Sequence, residues 1–354
     1  MARPLPLANP TNRFATTEVV YFEDGTPPAT LEVHLDRSRT ILSRNDSPDL
    51  GFRYSVNPYR GCFHGCAYCY ARPTHEYLSF GAGTDFERKI VVKPDAPELL
   101  REAFASKKWD RTEFVVFSGV TDCYQPLEAT YRLTRRCLEV CAEAATPVSI
   151  ITKSPLIERD LDVLLAVHGA AGVSVTVSIP FANEEHARAL EPYVATPSRR
   201  FRIIERLAQA GVPVGINVAP LIPGLNDEDV GELLERARDA GASWAGSVLL
   251  RLPGHVKDVF EQRLREKLPL RAEKVLARIR ETQGGKLYDA SFGMRGRGAG
   301  PYADAVRALF ERTAQRMGFH TSWAGMNMPK VARTPAAAPA KPKSQLSLFG
   351  LDAE

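Results

Sequence analysis

The chain has 354 residues, 44% of them hydrophobic and 25% charged, with a formal net charge of +4. That supplies a sizeable core over a length that α/β barrels reach as single units, and the mild basic excess permits a nucleic-acid partner without requiring one. The apolar runs are strand-sized, which argues against a transmembrane helix, and the opening Met-Ala-Arg-Pro-Leu-Pro lacks the long apolar run of a secretory signal.

Residues 1–49 are rich in Pro, Thr, Asp and Arg with little periodicity, and read as an extended arm with one strand candidate, Val19–Phe22. A strand over Tyr54–Pro58 then leads into Asn57-Pro58-Tyr59-Arg60-Gly61-Cys62-Phe63-His64-Gly65-Cys66-Ala67-Tyr68-Cys69-Tyr70. Three of the six cysteines fall in this stretch at a C-x₃-C-x₂-C spacing. Disulfide geometry cannot pair three thiols set so closely, and one is left over. Thiolates this close share a metal or a cluster, and three make an incomplete set for tetrahedral zinc or for a fully ligated four-iron cluster. A structural zinc site would need a fourth ligand, for which His64 and His75 are the nearest candidates. Free thiols at cluster-type spacing fit a reducing cytoplasm.

From residue 50 to about 255, short apolar runs alternate with amphipathic segments. The further strand candidates are Phe114–Phe117, Val148–Thr152, Val173–Ile179, Val212–Val218 and Ser247–Leu252. Between them lie helix candidates at Pro97–Phe104, Ala129–Ala144, Glu158–Ala166, Pro197–Ala210 and Asp227–Ala240. This alternation predicts a parallel sheet with right-handed crossovers, and ligands in such folds bind at the carboxyl ends of the strands.

The cysteine spacing, with an aromatic just before the last Cys, resembles the signature of the radical S-adenosylmethionine (radical SAM) superfamily. The wider NPYRGC-x-HGC-x-YCYARP-x-H stretch is similar to the spore-photoproduct-lyase-related branch, also described as DNA repair photolyase-like. The resemblance covers roughly residues 40–290. It implies a partial (β/α)₆ TIM-like barrel over 50–255, with an N-terminal arm over 1–49 and a helical extension over 256–329. It also implies that Cys62, Cys66 and Cys69 hold a [4Fe–4S] cluster with one open iron. S-adenosylmethionine chelates that iron, and one electron releases a 5′-deoxyadenosyl radical that abstracts hydrogen from the substrate. The electron comes from a reductant such as flavodoxin or ferredoxin, and Tyr68 packs beside the adenine.

The post-strand residues carry the remaining expectations. After the second strand, Ser118-Gly119-Val120-Thr121-Asp122-Cys123 occupies the place where the superfamily holds the methionine amino group. Gly119 there allows close backbone approach, and Asp122 or the Ser118 and Thr121 hydroxyls are donors and acceptors. In the lyase an essential cysteine on this loop returns a hydrogen atom to the product radical. Here Gly119 stands at that place with Cys123 downstream, so either Cys123 is the donor or none is needed. Cys137 and Cys141, spaced i and i+4, read as core. Lys153 ends the third strand, as a substrate or cofactor contact or as a solvated rim residue. Ser178, ending the fourth strand, is a candidate for the ribose hydroxyls. Glu191-Pro192 leads to Arg199-Arg200, whose inward member is taken as Arg200, for a cofactor carboxylate or ribose. Pro220-Leu221-Ile222-Pro223-Gly224-Leu225-Asn226-Asp227 resembles the adenine-binding region, where Asn226 or Asp227 also caps the next helix.

Beyond 255 the chain reads as basic helices at Val256–Glu266, Ala272–Glu281 and Ala303–Met317. The Gly293–Gly300 loop, with Arg295 and Arg297, is placed either to track a phosphate backbone or as a solvated surface loop. Residues 330–354 form a tail whose Ala, Pro and Lys run cannot bury enough surface to fold. Near its end, Gln345-Leu346-Ser347-Leu348-Phe349 matches the pentapeptide with which bacterial polymerases and repair proteins dock on the sliding clamp. The sequence therefore reads as a cytoplasmic radical SAM enzyme acting on DNA, lyase-like, with no membrane partner. The alternatives are a radical SAM enzyme acting on RNA or protein, and a clamp-associated iron–sulfur binding or sensor protein without catalysis.

Overall fold

The computed structural model describes residues 7–12, 14 and 30–322. The Val19–Phe22 strand candidate and the Gln345–Phe349 pentapeptide lie outside the described residues. The described strands, in chain order, are β1 (Glu32–Leu35), β2 (Leu42–Arg44), β3 (Tyr54–Val56), β4 (Tyr59–Arg60), β5 (Lys89–Val92) and β6 (Val115–Phe117). They continue with β7 (Val148–Thr152), β8 (Val173–Ser178), β9 (Val214–Leu221), β10 (Trp244–Leu249) and β11 (His320–Ser322).

One sheet runs β11-β10-β9-β8-β7-β6-β3-β2. Every neighbouring pair from β11 to β3 is parallel, and only β2 pairs antiparallel. Spatial order follows chain order through β3 and β6–β10, the six strands expected from the sequence. The fold class is the mixed α/β partial barrel expected there. β11 adds a seventh parallel strand at the far edge, which three residues without alternation did not announce.

β8 shows why these strands sit where they do. Its Val-Ser-Val-Thr-Val-Ser sequence is buried at all positions, so both faces are covered. Val173, Val175 and Val177 join the main apolar core. Ser174 and Thr176 take the other face with Ser178: Ser174 hydrogen-bonds Ser149 of β7 at 3.1 Å, and Trp244 Nε1 of β10 donates to Thr176 at 3.2 Å. In register between Thr176 and Trp244 lies Gly215. A Cβ there would stand 2.3 Å from the indole nitrogen, so the indole crosses the barrel interior over a glycine.

Several helices differ from the periodicity. The segment expected over Ala129–Ala144 breaks at Arg132 (φ 52°) into Glu128–Tyr131 and Leu133–Glu143. The buried Glu128 carboxylate starts the second piece by accepting from the Thr134 and Arg135 amides at 2.9 and 3.2 Å. The helices expected from Glu158 and Asp227 begin instead as 3₁₀ turns at Pro155–Asp160 and Asp227–Asp229. Cys137 and Cys141 are fully buried in the main core.

Between β4 and β5 the chain inserts a 3₁₀ segment, Arg72–Leu78, and a short helix, Thr84–Arg88. β5 then pairs with β1 and β4 in a separate three-stranded sheet. The arm is pinned to this insertion: the Leu7 amide donates to Thr84 Oγ1 at 2.7 Å, and Asn12 donates to the Glu76 and Phe80 carbonyls. The C-terminal helices Val256–Lys267 and Pro269–Thr282 share one apolar cluster with Cys66, Ala67 and Tyr68, so they back the cysteine loop. Among the described residues, no helix is long and apolar enough to cross a membrane.

Gly215→Ala forces its methyl against the Trp244 indole and is expected to cost about 1–3 kcal/mol through overpacking. A thermal melt reads this as a lowered midpoint. An unchanged midpoint would show that the indole can move aside freely.

Candidate active site

The cysteine stretch is neither helix nor strand, because its backbone groups are claimed from outside. Arg72 is fully buried and donates from Nε and Nη2 to the Cys66 carbonyl at 3.0 and 2.9 Å, and from Nη2 to the Gly65 carbonyl at 3.2 Å. Its Nη1 donates to the carbonyls of Ala82 and Gly83, and Glu87 balances its charge at 2.6 Å. Gly61 (φ 74°) turns the loop where a Cβ would meet His75 Cε1 at 2.8 Å and the Phe86 carbonyl at 2.9 Å. The Ala67 amide donates to the Leu190 carbonyl at 2.9 Å, fastening the loop to the segment after β8.

At the carboxyl ends of the strands lies a cleft enclosing about 1190 Å³, part of it open to solvent. Cys62, Cys66, Cys69 and Tyr68 line it from the loop; Asp122, Lys153 and Ser178 line it from the ends of β6, β7 and β8. Asn217, Leu249 and Arg251 complete the far side. All the cysteines are free thiols. Burial pushes Cys66 up to about 12 and raises Cys62 and Cys69, so the bare loop carries no thiolate charge and ligation must displace protons. Burial alone would lower Lys153, but the nearby anionic groups, Cys66 once it is a thiolate and the Glu191 carboxylate, outweigh it and the net shift is upward. At the mouth, Tyr70 is 46% exposed, with the Arg251 guanidinium 5.5 Å from its ring centroid. Its hydroxyl donates to the Gly119 carbonyl at 2.7 Å.

The structure brings Cys62, Cys66, Cys69, Tyr68, Asp122 and Ser178 together on this cleft, and it places four of the expected site residues elsewhere. Gly119 does not line the cleft; its close approach is to Ser55, 3.2 Å from where a Cβ would stand. Cys123 sits in the main core at 1% exposure, held by its amide to Ser118 Oγ and by its carbonyl to the Thr134 hydroxyl. A hydrogen-donor role for Cys123 has no support in that position. Arg200 is buried behind Tyr68, where it pairs with Glu191 and donates to the Ser178 carbonyl at 2.9 Å. Asn226 is fully buried, donating to the Pro180 and Pro220 carbonyls and accepting from the Ile222 amide, so it closes its own loop.

Asp122 lines the cleft with its oxygens already engaged. Thr152 Oγ1 and the amides of Lys153 and Tyr124 donate to it at 2.8, 2.8 and 2.9 Å, and His64 Nδ1 lies 3.4 Å away. Burial opposes its charge, yet these donors and His64 lower its pKa overall, so it remains a carboxylate that organises the loop. Arg199 points to Glu158 at 2.6 Å. Arg295 pairs with Asp49 at 2.6 Å, whereas Arg297 stays exposed.

Arg72, Asn217, Tyr70 and Arg251 are site residues beyond the sequence expectations, and Glu191 figures there only as part of the Glu191-Pro192 to Arg199-Arg200 pattern. Arg72 directly follows the cysteines, and Asn217 is a polar interruption of an apolar strand; both were available signals. Glu191 is marked by the Glu-Pro that leads to the Arg199-Arg200 pair, whereas Arg251 carries nothing that distinguishes it from surface charge.

The donor set fits an iron–sulfur cluster better than zinc. Among the described residues, no three His, Cys, Asp or Glu side chains converge tightly enough for one metal ion. Of the candidate fourth zinc ligands, His64 faces Asp122 through Nδ1. His75 is packed against Phe80 and Phe86 with Nε2 on the Lys89 carbonyl at 2.8 Å, away from the cleft lining. Three free thiols, two buried and one half-buried, around a roomy cleft suit a larger cluster with space left for a ligand.

The model of the radical SAM superfamily matches residues 56–237. Uncharacterised proteins of Mycobacterium tuberculosis (strain H37Rv) and Mycobacterium bovis are each 39% identical over 213 residues, covering 60% of this chain and 62% of theirs. The chain thus spans less than two thirds of those relatives. An uncharacterised protein of Methanocaldococcus jannaschii is 30% identical over 177 residues, covering 50% of this chain and 63% of its own. Among solved structures, spore photoproduct lyase complexed with dinucleoside spore photoproduct superposes with a TM-score of 0.60 at 17% identity. That match covers 82% of this chain and 81% of the lyase.

His75 yields a pH prediction. Burial lowers its pKa from 6.5 to about 4, with Asp85 opposing and Arg60 and Arg72 reinforcing the shift. The folded-state value is depressed, so the unfolded chain binds the extra proton between those two values. Stability is therefore unaffected by His75 above pH 6.5 and falls as pH drops towards 4, by about 3 kcal/mol in total. Denaturant titrations across this window should show a shallower pH slope for His75→Gln. An equal slope would mean that His75 titrates normally.

Proposed function

The chain belongs to the radical SAM superfamily, and on that footing we propose that it performs radical chemistry on DNA, repairing a damaged base in a lyase-like reaction. The observation that carries this reading is the convergence of Cys62, Cys66 and Cys69 on one cleft at the strand carboxyl ends. The family's cofactors are a [4Fe–4S] cluster and S-adenosylmethionine, and these three thiols are the residues to hold the cluster. When bound, the pair supplies one-electron cleavage of the sulfonium C–S bond and hydrogen-atom abstraction from the substrate.

The chain's own residues bind, orient and exclude water. Lys153 and Arg251 make no ion pair among the described residues and offer cations to a carboxylate or phosphate. Ser178 and the unpartnered Oδ1 of Asn217 offer a donor and an acceptor for hydroxyls. Val120, Ile151, Val248 and Leu249 give the cleft apolar walls, which keep water from a reactive radical.

Three features support DNA as the substrate. The lyase of similar fold is known in complex with a dinucleoside spore photoproduct. The exposed Tyr70 under Arg251 offers an aromatic face and a cation at the mouth, a pairing that suits a base and its phosphate. The Gln345–Phe349 pentapeptide resembles a sliding-clamp ligand, which would bring the enzyme to replicating DNA. A reducing cytoplasm, with a one-electron carrier such as flavodoxin or ferredoxin, completes the setting.

The test is anaerobic reconstitution with iron and sulfide, chemical reduction in the presence of S-adenosylmethionine, and chromatography for 5′-deoxyadenosine. The intact chain should form it slowly alone and faster with ultraviolet-irradiated DNA, while Cys66→Ala forms none. Formation unaffected by irradiated DNA but raised by RNA or a protein would redirect the substrate. No formation from a fully loaded cluster would remove the enzymatic reading.

A further inference from the structure

We propose that Glu191 is a positioning residue for the cofactor end of the cleft: held by Arg200, it fixes the ring of Tyr68 and thereby sets the affinity for S-adenosylmethionine. The inference rests on the functional reading above and adds a residue that does not itself line the cleft.

The arrangement is a buried strut. The Tyr68 hydroxyl donates to Glu191 Oε1, and Arg200 Nη2 donates to Glu191 Oε2. Arg200 Nη1 then donates to the Ser178 carbonyl at 2.9 Å. Tyr68 and Ser178 both line the cleft, one from the cysteine loop and the other from the end of β8. Glu191 and Arg200 join them from behind, both side chains at 0% exposure. The same segment is tied to the cysteine loop through its backbone. The Ala67 amide donates to the Leu190 carbonyl at 2.9 Å, and the Tyr193 amide donates to the His64 carbonyl at 3.4 Å. Residues 190–193 therefore act as a template for residues 64–68.

The chemistry explains why a carboxylate stands here. A buried ion pair is a poor route to stability compared with apolar packing, so its retention points to orientation. A carboxylate can accept at both oxygens at once, one from a phenol and one from a guanidinium. A phenol hydroxyl beside a carboxylate is the donor of the pair, and here it is the Tyr68 hydroxyl that donates to Glu191. The fixed ring lies 5.8 Å from Lys153 Nζ, measured at its centroid, and is backed by Phe181 at 6.5 Å. A ring free to rotate would lose this placement beside the thiols and present a looser wall to an adenine.

The test compares the intact chain with Tyr68→Phe, Glu191→Gln and Glu191→Leu after anaerobic reconstitution. Iron content and equilibrium binding of radiolabelled S-adenosylmethionine are measured on each. Tyr68→Phe, which removes one oxygen and keeps the ring, should bind about tenfold more weakly at unchanged iron content, the scale of one hydrogen bond. Glu191→Leu should lose at least as much, and Glu191→Gln, whose oxygen can accept from Arg200 while its amide donates to the Tyr68 oxygen, should recover part of it. Tyr68→Phe with full iron and undiminished affinity would overturn the inference, whether or not Glu191→Leu folds. If the intact chain with a full cluster bound no S-adenosylmethionine, the functional reading itself would fall, a result distinct from equal binding by both.

Discussion

Arg72 has its guanidinium at 0% exposure, and its N–H groups are spent on the carbonyls of Gly65, Cys66, Ala82 and Gly83 and on the Glu87 carboxylate. A charge in such a place is tolerable only when every donor is met and a counter-charge is present. Both conditions hold, and they fix the cysteine loop. With successive carbonyls turned onto one cation, residues 62–69 cannot relax into a helix or strand, and the three thiols remain at the cleft. The insertion between β4 and β5 exists, in physical terms, to bring Glu87 and the carbonyls of Ala82 and Gly83 to that cation. The arm in turn pins the insertion, through Leu7 to Thr84 and Asn12 to Glu76 and Phe80.

The charged and polar side chains around the cleft and behind it divide into two classes. Arg72, Glu87, Asp122, Glu191, Arg200 and Glu128 are committed to partners inside the protein and hold loops in place. Lys153, Arg251, Asn217 and Ser178 line the cleft and form no ion pair among the described residues. The committed groups confer rigidity on a site built from loops and strand ends, and the others are few. Rigid loops on a parallel barrel suit radical chemistry, because a carbon radical that is not held against its substrate can abstract hydrogen from a neighbouring C–H or S–H group.

Much of this was legible in the sequence. The six barrel strands are apolar runs of strand length separated by amphipathic periods, and that pattern survives without an alignment. The cysteine spacing is local, so it marked its loop directly. What failed to show was whatever depended on distant pairing. β4 and β5 are two and four residues long, and β11 is three, too short to establish a period. Arg132 breaks a continuous helical pattern because a carboxylate four residues earlier caps a new helix, a choice made by tertiary burial. The charged residues were the hardest. Arg200 was picked as the inward member of its pair and is inward, but its partner is Glu191 rather than a ligand. Asn226 reads as a cap or a ligand and is instead the knot of its own loop. Cys123 was singled out by its neighbourhood in the chain, and one residue of rotation along the turn put it into the core. A side chain's direction after a strand is set by the loop's hydrogen bonds, here those of Ser118 and Asp122, which no single-residue property encodes.

The central claim is that the three thiols of the 62–69 loop hold an iron–sulfur cluster with one position open to a ligand in the adjoining cleft. Electron paramagnetic resonance of the reduced, anaerobically reconstituted protein tests this most directly, recorded before and after S-adenosylmethionine is added. A cluster with an open iron gives a four-iron signal whose g-values shift when S-adenosylmethionine is added. A four-iron signal indifferent to S-adenosylmethionine, or a protein that takes up zinc in place of iron and sulfide, would contradict it.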